Sequence, residues 1–261
     1  MKIILSLLMT LSLIPKIYAQ DLLVYERKEL IVGNDTLRYR IMYPLNFDAN
    51  KKYPLVLFLH GSGERGKDNE AQLIHGGKLF AQDEIRSNFQ AIVIFPQCPD
   101  NDFWASIKRE KNTNGSNLFE FNPNSKPTKP MELTIQLVKQ TLKEKYIDKK
   151  RVYVGGLSMG GMGTFEILYR CPKIFAAAFP ICGGGSPEYV GKYAKKVKFW
   201  VFHGAKDDVV LPEYSKRMVD AIKEKGGDVN FTIYPNANHN SWDSAFAEPN
   251  LFPWLFSIYK K

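Results

Sequence analysis

Residues 151–166 read Arg-Val-Tyr-Val-Gly-Gly-Leu-Ser-Met-Gly-Gly-Met-Gly-Thr-Phe-Glu, and the reading of this stretch decides the fold. The apolar, β-branched run at 152–154 has the composition of a buried strand, and the residues from 160 to 170 have that of a helix. Between them, Gly156-Leu157-Ser158-Met159-Gly160 is a G-x-S-x-G pentapeptide. A strand that turns this abruptly into a helix forces the central Ser into a strained backbone conformation. Neighbours without a Cβ relieve the crowding, and the hydroxyl is thrust above the sheet. The plainer alternative is a Gly-rich turn whose Ser merely caps the helix.

Working outward, short apolar runs at 37–43, 55–59, 91–95, 198–202 and 229–234 alternate with helical candidates at 131–146, 212–225 and 242–259. In the first of these helices Leu133, Ile135, Leu137, Val138, Leu142 and Tyr146 recur largely at three- and four-residue steps. Alternation of this kind predicts an α/β fold, a mostly parallel central sheet with helices on both faces. Residues 22–32 and 37–43, joined through Gly33-Asn34-Asp35, predict an N-terminal antiparallel hairpin at the edge. Residues 100–130 break the rhythm. They are rich in Asn, Pro, Lys, Ser and Gly, interrupted by Phe103, Trp104, Leu118, Phe119 and Phe121, and read as a long loop of the kind that is either functional or disordered.

The 261-residue chain is 44% hydrophobic and 24% charged, which excludes extended disorder, collagen and coiled coil. Lys2, an almost unbroken apolar run from Ile3 to Ile14 and the small residue Ala19 read as a signal peptide over 1–19, leaving 20–261 as one catalytic domain. The run of about twelve apolar residues falls short of the roughly 20 that span a bilayer, so the expectation is export without a stable membrane anchor. The net charge of +9 comes from scattered lysines such as Lys51-Lys52 and Lys195-Lys196, with no long basic run, and nucleic-acid binding is not supported. Cys98, Cys171 and Cys182 form no CxxC or other metal-ligand spacing, so no zinc site is expected. Cys98 and Cys182 each follow a strand-like run, and a disulfide between them is left open, as is the oligomeric state.

A nucleophilic Ser158 needs a base and an acid that orients it. Of the four histidines, His60 and His203 close apolar strands before a Gly and suit packing or backbone roles, and His75 lies in a polar stretch with no acid in the right order. His239 follows the last strand run, the place of the base. The acid falls between Ser and His in sequence, where Asp207 and Asp208 are available. With Leu59-His-Gly-Ser-Gly-Glu-Arg-Gly66, Gly156-Leu-Ser-Met-Gly160, His203-Gly-Ala-Lys-Asp207 and His239-Asn-Ser-Trp242 in place, the chain resembles secreted α/β-hydrolases. The group resembled includes feruloyl esterases, acetyl-xylan esterases, polyhydroxyalkanoate depolymerases and predicted peptidases. The resemblance implies an α/β-hydrolase fold, a triad of Ser158, Asp207 and His239, and an oxyanion hole from the N–H groups of Met159 and Ser62, with Gly63 the alternative to Ser62. It implies no metal and no cofactor.

The implied substrate is a small-molecule or oligosaccharide ester, a feruloyl or acetyl group on plant polysaccharide first, with short peptides the runner-up. A non-catalytic carbohydrate-binding protein is a third reading. Trp104, in the polar insertion, is expected either to stack on a sugar or phenolic ring or to anchor the loop. Glu64 and Arg65 are expected to pair within their own loop, and Trp242 to pack beneath the His239 loop.

Overall fold

The computed structural model describes residues 21–260, apart from 112, 114 and 116. The leader expected at 1–19 lies outside the described residues. Strands β1 (Tyr25–Val32), β2 (Asp35–Met42), β3 (Tyr53–Leu59) and β4 (Ile92–Pro96) precede the small β5 (Ile107–Lys111) and β6 (Asn117–Phe121). They are followed by β7 (Ile147–Leu157), β8 (Ala177–Ile181), β9 (Lys198–Gly204) and β10 (Asp228–Tyr234). The main sheet runs β1-β2-β4-β3-β7-β8-β9-β10. β1 pairs antiparallel with β2, and β2 antiparallel with β4; every other pairing is parallel. The expected sheet and edge hairpin are both present, with Gly33 at positive φ in the hairpin turn.

Helices α1 (Gly77–Ala81), α2 (Asp83–Asn88), α3 (Lys129–Thr141), α4 (Met159–Arg170), α5 (Pro212–Glu224), α6 (Trp242–Phe246) and α7 (Leu251–Ser257) complete the chain. Thr128 caps α3, its hydroxyl accepting from the Met131 N–H, with Pro130 in the first turn. The period of two in the central strands splits the core into two layers. Leu55, Leu57 and Leu59 of β3 join Ile92 and Ile94 of β4 in one layer, with Met131 and Leu137 of α3. Val56 and Phe58 join Val93 and Phe95 in the other, with Leu251 and Phe252 of α7. Burying each such side chain contributes about 1.5–3 kcal/mol, so helices on both faces are what keeps so apolar a sheet in water.

Three expectations need correction, and the question left open for Cys98 and Cys182 is answered. Residues 100–130 are not one loop: they fold into the antiparallel β5–β6 hairpin. β8, Ala-Ala-Phe-Pro-Ile, was not among the expected strands, although it lies between β7 and β9. The helix expected over 242–259 is two helices, α6 and α7, because Pro249 between them cannot continue a helix. Cys98 and Cys182 are not bridged. Both are free and buried, and they follow β4 and β8, which are separated by β3 and β7 and end in opposite core layers.

Candidate active site

Ser158 sits between the end of β7 and the start of α4 with φ 53 and ψ −117. A non-Gly residue there stores of order 1–3 kcal/mol of strain. The turn is held by the Ser158 N–H donating to the Ile181 carbonyl at 2.9 Å and by the Met162 N–H donating to the Ser158 carbonyl at 3.0 Å. The flanking glycines are required by close approach. A Cβ at Gly160 would lie 1.9 Å from the Leu59 carbonyl oxygen, and one at Gly156 would lie 2.4 Å from the Gly160 oxygen. α4 therefore abuts β3 backbone to backbone, and Ser158 Oγ is fixed at the sheet's carboxyl edge.

The other partners arrive from the loops after β9 and β10, the carboxyl ends where open α/β sheets collect their chemistry. His239 Nε2 lies 2.9 Å from Ser158 Oγ, and His239 Nδ1 lies 2.8 Å from Asp207 Oδ2. Asp207 Oδ1 accepts from the Val209 and Val210 N–H groups, each at 2.9 Å. Burial works to raise the Asp207 carboxyl, but hydrogen bonds from His203 and then His239 outweigh it and hold the group well below the usual carboxylate range. An ionised Asp207 has only lone pairs to offer, so Nδ1 of His239 carries the proton and Nε2 accepts from Ser158. Asp208, by contrast, is exposed. The edge of the Trp242 ring packs against His239 at 5.5 Å, as expected, and the same indole contacts His75 at 5.1 Å.

Behind the acid stands His203, which is fully buried. Its Nε2 faces two acceptors, Asp207 Oδ2 at 3.1 Å and the Val210 carbonyl at 2.8 Å. Neither acceptor bears a proton, so Nε2 donates to both. Nδ1 meets Ser215 Oγ at 2.7 Å, and that hydroxyl donates to the Gly183 carbonyl at 2.9 Å. The packing role expected for His203 thus includes a hydrogen bond to the acid, which the strand pattern alone does not reveal.

Ser62 and Met159 line one cleft with Ser158. Each begins a helical turn, the 3-10 turn Ser62–Glu64 and α4, so its N–H has no carbonyl one turn earlier to receive it. His60 scaffolds this loop. Its Nδ1 donates to the Gly61 carbonyl at 2.6 Å, its Nε2 accepts from the Cys98 N–H at 2.9 Å, and burial lowers its pKa to about 4. Trp104 is fully buried, packs on His60 at 5.2 Å and donates from Nε1 to the His60 carbonyl at 3.0 Å. It has no face to offer a sugar. The stacking role is corrected to the anchoring one, because the indole N–H finds its partner inside the protein. Glu64 and Arg65 do not pair with each other. Arg65 donates to the Ser62 carbonyl at 3.0 Å and lies over Phe103, while Glu64 lies 3.5 Å from His75.

The cleft encloses about 60 Å³. Its far wall is the insertion: Phe103, Ile107, Arg109, Asn117 and Phe119, facing Met162, Val209 and Val210. Sequence reading singled out Phe119 as an interruption in a loop and missed Arg109 and Asn117, since charged strand residues give no local sign of facing a cleft. Among the described residues one group has ligating atoms close enough for a metal, Cys182, Asp207 and His239, within 4.8 Å. Two of its members already hydrogen-bond each other, and burial pushes the Cys182 thiol far up and keeps it protonated, so the donor set fits proton transfer better than a cation.

A family model for phospholipases and carboxylesterases matches residues 46–250. The chain belongs to that family. It is 32% identical to a thermostable esterase of known structure, with a TM-score of 0.80, over 92% of this chain and 64% of the other. A bifunctional acetylxylan esterase/xylanase of Neocallimastix patriciarum is 37% identical over 83 residues, 32% of this chain and 12% of the relative. The chain therefore spans less than two thirds of either protein. A ferulic acid esterase of known structure shares the fold at 17% identity and a TM-score of 0.64, covering 89% of this chain and 98% of the other. Solved peptidases share the fold too, so fold alone does not separate esters from amides.

Proposed function

We propose that this esterase-type α/β-hydrolase works through an acyl-enzyme on Ser158, and that its substrates are acetyl or feruloyl esters of plant polysaccharide. The carrying observation is the relay from Ser158 Oγ to His239 Nε2 at 2.9 Å and from His239 Nδ1 to Asp207 Oδ2 at 2.8 Å. His239 takes the Ser158 proton as Oγ attacks the ester carbonyl, and Asp207 holds the imidazolium that forms. The Met159 and Ser62 N–H groups receive the oxyanion, each worth about 3–4 kcal/mol in comparable sites. His239 returns the proton to the departing alcohol. Water, activated by the same His239, then cleaves the acyl-enzyme.

For the substrate, support comes from the acetylxylan esterase relative and from a small cleft walled by Phe103 and Phe119, which suits a short acyl or aryl-acyl group better than a long chain. Export directed by residues 1–19 belongs to the same proposal. The test is a parallel assay of p-nitrophenyl acetate, methyl ferulate, acetylated xylooligosaccharides, long-chain acyl esters and aminoacyl anilides, with fluorophosphonate labelling. Labelling at Ser158, with acetyl or feruloyl esters fastest, is the expected result. Faster anilide cleavage would make the protein a peptidase, and labelling elsewhere would remove Ser158 from the mechanism.

A further inference from the structure

Arg109 stands on the wall of the Ser158 cleft, and the acyl-transfer chemistry above does not use it. It lies on β5 opposite Phe119. Its side chain is exposed, and among the described residues no carboxylate reaches it as an ion-pair partner. A guanidinium left without a counter-ion at the surface is ordinarily free to wander. This one is not free. Its Nε and Nη2 both donate to Asn117 Oδ1, at 3.1 and 2.9 Å.

Asn117 is itself buried, and its Nδ2 donates to the Val209 carbonyl at 3.0 Å. The brace therefore runs from the Arg109 fork to the segment whose Val209 and Val210 N–H groups hold Asp207. Orienting a cation in this way uses two of the five guanidinium N–H donors and leaves the others uncommitted among the described residues. Around it, Phe103, Ile107, Phe119 and Met162 supply an apolar wall that weakens screening of the charge. A pre-aimed guanidinium on the wall of the cleft is the geometry that recognises a planar anion in two-pronged fashion.

We propose that Arg109 is a specificity-determining residue that seats a carboxylate carried by the ester substrate a few bonds from the scissile carbonyl. The proposal rests on the serine-esterase reading and narrows its substrate. The carboxylate has two possible sources, the far end of a short dicarboxylic acyl group or an acidic alcohol such as a uronate or a hydroxybenzoate. An acetylated polysaccharide that also carries uronate is the second kind.

The experiment compares charged and neutral partners of matched size in the full protein. On the acyl side these are p-nitrophenyl hemiglutarate and p-nitrophenyl valerate. On the alcohol side they are 4-acetoxybenzoate and its methyl ester. Wild type is expected to favour the charged member of one pair in kcat/KM by about tenfold at low salt, and the pair identifies the source. Raising the salt to 0.5 M should shrink the preference, since screening shortens the reach of an exposed charge. Arg109→Gln should erase the preference, and Arg109→Lys, which keeps the charge without the fork, should retain a smaller one that salt abolishes.

Turnover of the neutral esters with no preference in either pair would overturn the proposal while leaving the esterase reading intact. A preference that survives in a folded Arg109→Gln variant would overturn it as well. A folded protein that turns over none of the four esters and does not react with fluorophosphonate at Ser158 would refute both.

Discussion

Replacing Ser158 by Gly should stabilise the protein relative to replacing it by Ala, although both variants are expected to be catalytically dead. The reasoning starts from the backbone at Ser158, φ 53 and ψ −117, a region that residues with a Cβ rarely enter. Each substitution removes the same hydroxyl, so the 2.9 Å contact with His239 Nε2 drops out of the comparison. Ala keeps its Cβ in the strained turn and retains the cost of about 1–3 kcal/mol. Gly releases that strain but loses about 0.5–1 kcal/mol in the extra conformational freedom of its unfolded chain. The Ala methyl sits where Ser158 is only 8% exposed, and its burial offsets part of that gain. The difference is centred on about 1 kcal/mol in favour of Gly, with bounds of about 0–2.5 kcal/mol, and for a domain of this size each kcal/mol moves Tm by about 2–4 °C. Differential scanning calorimetry of the two variants measures it directly, with urea titrations checking that the m-value is unchanged. If Ser158→Ala proved as stable as Ser158→Gly, the strain would not reside in this turn, and its geometry would need another cause.

Further expectations concern the residues around that turn. Gly160→Ala would place a methyl 1.9 Å from the Leu59 carbonyl oxygen, which cannot rotate away; a loss of about 3 kcal/mol, at the upper end for overpacking, and reduced turnover should show in melts and assays together. Asp207→Asn should lower kcat by several orders of magnitude while Asp208→Asn changes it little, and the opposite ranking would move the acid by one residue. The Asp207 carboxyl is held below its unfolded range, so the stability it confers is complete above about pH 4 and is lost as pH falls towards the folded value. Wild type and Asp207→Asn should therefore differ in chemical stability at pH 6, and the difference should shrink progressively as pH falls below about 4. His203→Phe strips a donor from a buried carboxylate, and a loss of about 1.5–3 kcal/mol is expected, with slower fluorophosphonate labelling of Ser158 in the folded variant.

What the sequence made legible and what it concealed separate along a physical line. The Gly156–Gly160 spacing, the apolar runs of β3 and β4, and the hairpin turn at Gly33-Asn34 all act within a few residues, so each leaves a local mark. The hydrogen-bonded grouping of Ser158, His239 and Asp207 was legible for a related reason. Its members follow strand ends, and the order Ser, Asp, His is the one that the resemblance to α/β-hydrolases implies. The Trp104 contact has no such mark. Whether that indole faces a ligand or the interior depends on the His60 carbonyl, 44 positions away in the chain, being free to accept its N–H. β8 was hidden by its composition, since Pro180 lacks the N–H a central strand is expected to donate and the alanines carry little β-propensity. It survives because β7 and β9 pair with it on both sides and because Ile181 supplies the carbonyl that receives the Ser158 N–H. The hairpin β5–β6 is the same lesson in reverse. Ile-Lys-Arg-Glu-Lys has no apolar alternation to betray a strand, because only Ile107 packs against a small buried cluster and the residues after it are exposed. A weak local signal therefore marks the segment that builds the cleft wall. Arg109 is the case in point: as a strand residue it satisfies no folding rule, and only the Asn117 brace that fixes it gives it a physical reason to be there.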